Sequence, residues 1–256
     1  MTCASQFRWV SSTRSDVGRV REINEDACLA QPERGCWAVA DGMGGHAVGD
    51  LASQLIIDGL SRIAPSNSIG RLLADARTSL MHANRQLREE AVRRQVQRIG
   101  STVVVLLASD CYCAYLWAGD SRLYLYRQGQ LSLLTRDHSQ VEALKAAGYL
   151  TDEEALHHPA QHAITRAVGA TDELDLDENT LAVADGDTFL LCSDGLSNQV
   201  AEEEMVSALA TVDCRHACEV LVDLALARGG RDNITAVVAH AEDTEGSDKT
   251  LLNPTT

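Results

Sequence analysis

Apolar residues recur along this chain with two periods, one typical of amphipathic helices and one typical of strands. Leu72, Leu80 and Leu87 belong to a stripe with three- and four-residue steps, which predicts a helix that packs through one face. The stretch 51–63 has similar spacing and predicts a second helix before it. Residues 101–108 form a continuous β-branched apolar run, which predicts a strand covered on both faces.

Further strand-like and helical runs surround these elements. Strands are predicted at 7–13, 26–31, 35–40, 111–118, on both sides of Gln128-Gly129, at 187–193 and at 233–240. Helical patterns return at 139–161 and 202–227. Strands precede and follow a pair of helices without regular alternation, so the pattern disfavours a doubly wound parallel sheet and permits an α+β fold. The order of the strands stays open at this level.

Five short acidic segments lie at or near the ends of the predicted strands. They read Asn24-Glu25-Asp26, Asp41-Gly42-Met43-Gly44-Gly45, Gly119-Asp120-Ser121-Arg122, Ser193-Asp194-Gly195-Leu196 and Arg231-Asp232-Asn233. An aspartate at a strand end can place its carboxylate at the rim of a sheet, and several such rims together offer hard oxygen ligands to a divalent cation. One Asp-Gly pair alone is ordinary turn sequence. The ordered set of five favours a metal site.

This ordered set resembles the metal-dependent serine/threonine protein phosphatases of the PP2C (PPM) family, in their compact bacterial form. The resemblance runs from about Val10 to Ala241. It implies a four-layer α-β-β-α sandwich with two stacked antiparallel sheets and a metal centre at one end. It also implies one catalytic domain at 1–241, with a flap at about 139–161 beside the active site. Residues 242–256 are polar and are expected to form a disordered tail.

The resemblance implies hydrolysis of phosphoserine and phosphothreonine by direct attack of a metal-activated water. The implied core ligands of two ions are Asp41, which bridges both, the Gly42 carbonyl, Asp194 and Asp232. Asp120 matches a ligand of a weaker third ion, while Glu25, mainly through water, and Asp26 support the cluster. The matched positions carry oxygen ligands only, which favours Mn²⁺ or Mg²⁺ over zinc.

Two roles stay less closely defined. Arg21 matches an arginine that holds the substrate phosphate, and a guanidinium suits that task because it donates two parallel hydrogen bonds. Arg19 is the alternative, since both side chains would point the same way from a strand. Many eukaryotic members have a histidine directly after the first Asp-Gly, where this chain has Met43. The proton donor is therefore either His46 or, as we favour, metal-bound water.

Composition limits which classes of partner and which cellular location are expected. The net charge of −15 over 256 residues, without a basic stripe, argues against nucleic acid. Eight cysteines include no Cys-x-x-Cys pair, and neither a signal peptide nor an apolar segment of membrane-spanning length is visible. These features predict a cytoplasmic location and no membrane span. Cys214 and Cys218 could join His216 in a metal site, but a buried helix face is favoured.

The expected partners are phosphorylated proteins and a cognate bacterial serine/threonine kinase, and the expected state is a monomer. One alternative is a catalytically weak, phosphopeptide-binding regulatory relative. The retained carboxylates argue against it. Another alternative is a Ca²⁺-binding module, which would show a clustered Asp-x-Asp-x-Asp-Gly loop that this sequence lacks.

Overall fold

The structure is a computed structural model, and it describes residues 7–44, 48–156, 158–160 and 163–244. In chain order the strands are β1 (Phe7–Asp16), β2 (Asp26–Gln31), β3 (Cys36–Met43), β4 (Gly100–Ser101), β5 (Val103–Ser109), β6 (Tyr112–Ala118), β7 (Arg122–Arg127), β8 (Gln130–Leu133), β9 (Asp177–Ala182), β10 (Thr188–Cys192) and β11 (Ile234–Asp243). The helices are α1 (Gly49–Ser61), α2 (Ile69–Arg94), α3 (Gln140–Ala146), α4 (Asp152–Leu156), α5 (Asp194–Ser197), α6 (Glu202–Leu209) and α7 (Cys214–Ala227).

The strands form two antiparallel sheets. The first has the order β1-β11-β10-β7-β8, and the second has the order β2-β3-β5-β6-β9, with the short β4 paired to β3. Some pairs join consecutive strands, such as β5 with β6 and β7 with β8, whereas β1 with β11 and β10 with β7 are long-range pairs. This arrangement supports the expectation that the sheet is not doubly wound.

Three buried clusters define the layers. Trp37, Leu106 and Phe189 belong to the cluster between the two sheets. Leu80 of α2 belongs to a second cluster, which joins α1 and α2 to the outer face of the second sheet. Leu221 of α7 belongs to a third, which joins α6 and α7 to the outer face of the first sheet. The α-β-β-α sandwich is therefore confirmed.

Local sequence explains most of these elements. Helix α2 buries the leucines of its apolar stripe and begins after Ser68, whose hydroxyl accepts the Arg71 N–H. Strand β5 is buried at six consecutive positions because helices cover one face and the first sheet covers the other.

No helix in the described part of the chain is long and apolar enough to cross a membrane.

Several boundaries differ from the sequence prediction. Strand β9 was not predicted, because its sequence lacks alternating apolar residues and reads DENTLA. It lies at the edge of the second sheet, where it pairs with β6. Strand β11 runs to Asp243, past the predicted domain end at 241, because Glu242 and Asp243 pair with the start of β1. Residues 245–256, most of the expected tail, lie outside the described residues.

Helix α7 packs its cysteines against β1. The thiols of Cys214 and Cys218 are buried and donate to the carbonyls of Val10, at 3.5 Å, and Ser12, at 3.3 Å. The side chains thus serve as small apolar residues with weak donors, as the helix-face interpretation requires.

An ion pair with a buried carboxylate stabilises one end of the sandwich. Arg127, the last residue of β7, donates to both carboxylate oxygens of Asp187 at 2.7 and 2.6 Å. The Asp187 side chain is fully buried and also accepts the Ala184 N–H. Strand β7 begins at Arg122, so this pair lies roughly 17 Å along the strand from the other end of the sandwich.

Candidate metal centre

The acidic segments converge at that other end of the sandwich. Strand β3 carries Asp41 near its end, Asp194 is the second residue after β10, and Asp232 is the second residue before β11. Asp26 lies opposite Asp41 in the β2–β3 ladder. A cavity of about 1000 Å³ opens between these segments. Segments far apart in sequence therefore present their carboxylates to one space.

The structure brings nearly all predicted site residues together. The cavity is lined by Arg21, Glu25, Asp41, Gly42, Asp120, Asp194 and Asp232, among others. Asp26 is buried rather than exposed to the cavity. His46 lies outside the described residues, whereas Met43 lines the cavity.

The two candidate phosphate-binding arginines are separated by the structure. They lie in a turn after β1, not in a strand as expected, so their side chains do not share a face. Arg21 Nη2 donates to Asp232 Oδ2 at 2.8 Å. Arg19 Nε instead donates to the Leu226 carbonyl at 3.0 Å, on α7 and away from the cavity.

A glycine is required directly after Asp41. A Cβ on Gly42 would lie 1.9 Å from the Gly49 carbonyl oxygen and 2.7 Å from that of Glu25. The Gly42 N–H donates to the same Glu25 oxygen at 3.0 Å. Gly42 therefore allows β3, the start of α1 and the Glu25 loop to meet at the cavity.

The carboxyl groups at this site are strongly perturbed. The pKa of Asp41 is raised well above its usual value by burial and then by the charges of neighbouring aspartates, Asp26 and Asp194 foremost. Burial raises the pKa of Asp26 to about 7, and burial together with Asp194 raises the pKa of Asp120 to about 7. The pKa of Glu25 is also raised, mainly by burial. Each of these shifts favours the protonated form, so a bound cation would compete with protons for the same oxygens.

The donor set fits a divalent cation. Asp26 Oδ2 accepts hydrogen bonds from Ser193 Oγ at 2.8 Å and Thr235 Oγ1 at 2.7 Å, but its buried Oδ1 has no hydrogen-bond partner. Such an orphaned acceptor, within a cluster of oxygen ligands of raised pKa, is suited to a hard cation. Within the described residues no three His, Cys, Asp or Glu side chains already lie close enough together to form an ion-binding group.

Comparison with known proteins identifies the family. A sequence profile described as Protein phosphatase 2C matches residues 18–226. The chain belongs to the protein phosphatase 2C family. It is 37% identical over 236 residues to "Serine/threonine protein phosphatase PstP" of Mycobacterium tuberculosis, which covers 91% of this chain and 45% of PstP. The chain thus spans less than half the length of that relative.

Solved structures of the same family share the fold. One is "PppA, a key regulatory component of T6SS in Pseudomonas aeruginosa", with 45% identity, a TM-score of 0.87 and coverage of 93% of this chain and 99% of that one. Another is the catalytic domain of PstP in complex with two manganese ions, with 35% identity, a TM-score of 0.84 and coverage of 93% and 100%. The sandwich of this protein phosphatase 2C domain is therefore the one found in a manganese-containing relative.

Two groups in this phosphatase-family site were not assigned roles from the sequence. Asn233 accepts the Glu25 N–H at 2.8 Å and donates to the carbonyls of Val17 and Ile23, so it shapes the loop that carries Arg21. Its position directly after Asp232 was the only signal. Asp137 forms a two-pronged pair with Arg122, at 3.0 and 2.7 Å, on the cavity wall.

Proposed function

We propose that this chain is a metal-dependent protein serine/threonine phosphatase that hydrolyses phosphoserine and phosphothreonine by direct attack of a metal-activated water. The observation that carries the proposal is the cluster of carboxyl groups of raised pKa at one cavity in a member of the protein phosphatase 2C family, together with the buried, orphaned oxygen of Asp26 beside it.

The residues that would hold the ions follow from their places around the cavity. We propose Asp41, the Gly42 carbonyl, Asp194 and Asp232 for two core ions. Asp120 would serve a weaker third ion, while Glu25 and Asp26 support the cluster. Two bound Mn²⁺ or Mg²⁺ ions would acidify a water and neutralise the phosphate. Oxygen-only ligation supports these two metals over zinc.

The charge of the cavity gives an independent reason for metal dependence. Among its described lining residues, eight carry carboxyl groups and four carry basic groups. When these carboxyls are ionised, a phosphate ester would meet an excess of negative charge. Two divalent cations offset that excess, so the ions would serve binding as well as chemistry.

Arg21 is the proposed phosphate ligand. Its side chain is 51% exposed and is held at the cavity by a single hydrogen bond to Asp232. It can therefore turn toward a bound phosphate and donate two parallel bonds. Arg19 cannot do the same from its place on the Leu226 carbonyl.

The leaving alkoxide needs a proton, and Met43 at the cavity wall cannot donate one. We propose that water at the metal centre supplies it, and not His46. If His46 were the acid, His46→Ala would slow phosphothreonine hydrolysis by about 10²–10⁴-fold and spare an aryl phosphate, whose leaving group needs no acid. Our proposal predicts small, parallel changes on both substrates.

The flap at about 139–161 is the proposed recognition element. Its described part contains α3 and α4, and Lys145 of α3 pairs with both Glu142 and Asp152. All three side chains line the cavity, so a phosphoprotein would contact this face. The 45% sequence identity to PppA, which is described as a key regulatory component, supports a signalling role. A cognate kinase, a monomeric state, a cytoplasmic location and the 1–241 domain boundary stay predictions.

The test is release of phosphate from a phosphothreonine peptide with Mn²⁺ and again with excess chelator. Hydrolysis that requires the ion, and that Asp41→Asn abolishes, supports the proposal. Tight peptide binding without phosphate release at saturating Mn²⁺ would instead favour the regulatory, catalytically weak alternative.

A further inference from the structure

We propose that the paired hydroxyls of Thr102 and Ser121 position Asp120 relative to Asp41, and thereby set how tightly the cavity holds the ion at Asp120. The inference rests on the proposed function, because it assigns a means of control to the same metal centre. Neither hydroxyl belongs to the proposed ligand set, so both would act through other residues.

Thr102 is tied to the turn that carries Asp41. Its Oγ1 accepts the Asp41 N–H at 3.1 Å, and its own N–H donates to the Asp41 carbonyl at 2.9 Å. The same Oγ1 lies 2.7 Å from Ser121 Oγ, directly after Asp120. Thr102 is 4% exposed and Ser121 is 1% exposed, so bulk water does not compete for these bonds.

The link is steric as well as polar. Gly119, directly before Asp120, has a φ of +112°, and a Cβ there would lie 2.6 Å from Thr102 Cβ and 2.7 Å from its Cγ2. The backbone of the Asp120 turn therefore rests on the Thr102 side chain, at a distance that only glycine permits. One side chain thus meets both carboxylate-bearing turns.

The hydrogen bond between Thr102 and Ser121 opposes the repulsion between two carboxylates. Asp120 and Asp41 line the same cavity, so their carboxylates repel each other when both are ionised. Without the bridge, the Asp120 turn can relax away from Asp41. A small divalent ion that needs closely placed oxygens then loses part of its ligand set.

The Asp120 turn has a second attachment, which makes the proposal testable in a folded protein. The Gly119 N–H donates to His138 Nδ1 at 3.2 Å, and the His138 N–H donates to the Gly119 carbonyl at 2.9 Å. Ser121→Ala leaves both bonds and both bonds between Thr102 and Asp41 intact. It removes only the hydrogen bond between the two turns and leaves the contact of Gly119 with Thr102.

The experiment measures Mn²⁺ binding by titration calorimetry, with phosphate release as a second readout. Ser121→Ala should weaken the lowest-affinity binding event on the order of fivefold, the effect of one lost buried hydrogen bond, and change the tighter events by less than about twofold. Phosphate release should fall at limiting Mn²⁺ and recover at saturation. Ser109→Ala, at the far end of β5 with its hydroxyl on the Ser66 carbonyl, is the matched control and should change neither readout.

Two further variants separate positioning from general stability. Thr102→Val keeps the branched shape but leaves the Asp41 N–H without its acceptor, so it should weaken all Mn²⁺ events. Thr102→Ser keeps the hydroxyl and should bind Mn²⁺ far more like wild type than Thr102→Val does. In an Asp120→Asn background, Ser121→Ala should have no further effect, because the group that it positions is gone.

The proposal is overturned if Ser121→Ala binds Mn²⁺ as wild type does, or if it weakens binding further in the Asp120→Asn background. It is also overturned if no binding event depends on Asp120. These outcomes do not require turnover. If the wild-type protein binds Mn²⁺ but releases no phosphate, the proposed function fails while the binding titrations still decide this inference.

Discussion

Replacing Arg21 by alanine should damage catalysis much more than replacing Arg19. The two arginines are two positions apart in one turn, so they form a matched pair. Arg21 reaches Asp232 at the cavity at 2.8 Å, whereas Arg19 bonds the Leu226 carbonyl at 3.0 Å. Only the first substitution removes a cation from the place where a phosphate would bind.

The expected magnitude follows from the exposure of Arg21. A hydrogen bond to a charged group contributes about 1.5–3 kcal/mol, and Arg21 could donate two to a phosphate. Its side chain is 51% exposed, so solvent weakens both, and we expect a total loss of about 1.5–3 kcal/mol. That corresponds to a roughly 10- to 100-fold lower kcat/KM. Arg19→Ala should cost less than about 0.5 kcal/mol, as an exposed substitution usually does.

The assay is kcat/KM for a phosphothreonine peptide at saturating Mn²⁺, with Tm as the folding control. Arg21→Ala removes a cation next to a proposed metal ligand, so Mn²⁺ affinity should not fall, and metal loss cannot explain the result. Arg21→Lys should recover activity only in part, because an ammonium group lacks the two-pronged geometry. The reasoning is wrong if Arg19→Ala is the more damaging change or if Arg21→Lys restores full activity.

Three further predictions concern the metal centre and the frame that supports it. Asp41→Asn and Asp232→Asn should each abolish most phosphate release. Neither should lower the Tm of the metal-free protein, since each substitution relieves repulsion between carboxylates. Near-normal turnover of either variant at saturating Mn²⁺ would exclude that residue from the site. Asp187→Ala removes a buried carboxylate that accepts bonds from Arg127 and the Ala184 N–H, and it should lower the free energy of unfolding by about 2 kcal/mol, measured by urea denaturation. The exposed Asp185→Ala should cost less than about 1 kcal/mol; equal effects would contradict a special role for the pair. Two carboxyls have a pKa raised to about 7, so the stability of the metal-free protein should fall as the pH rises from about 4 to about 7. Bound Mn²⁺ should suppress that fall, because the ion replaces the protons. Denaturation curves that show rising stability across this pH window would refute this prediction.

Much of the fold was predictable because its signals are local. The stripe of α2 and the buried run of β5 repeat over a few residues, and periodicity reports which faces are covered. Strand β9 was not predictable in this way. Its polar residues gain strand structure from pairing with β6, a contact that local sequence does not record.

The same division applies to the site. The acidic segments and their order predicted the carboxylates that line the cavity, because each sits at the end of a recognisable strand or turn. The choice between Arg19 and Arg21 could not be made from a strand pattern, since the backbone there turns and sends the two side chains to different partners. His46 stays a prediction, as it lies outside the described residues.

By itself, then, the sequence determined the helices of this protein, most of its strands, its family and the carboxylates that line its cavity. Only the tertiary structure decided which groups hold those carboxylates in place. The unpaired oxygen of Asp26 becomes apparent only once burial and all its neighbours are known. The bond between Thr102 and Ser121 joins residues 19 positions apart on different strands and turns. Burial, raised pKa values and such bridges depend on distances between remote segments, and those distances exist only after both sheets have packed together.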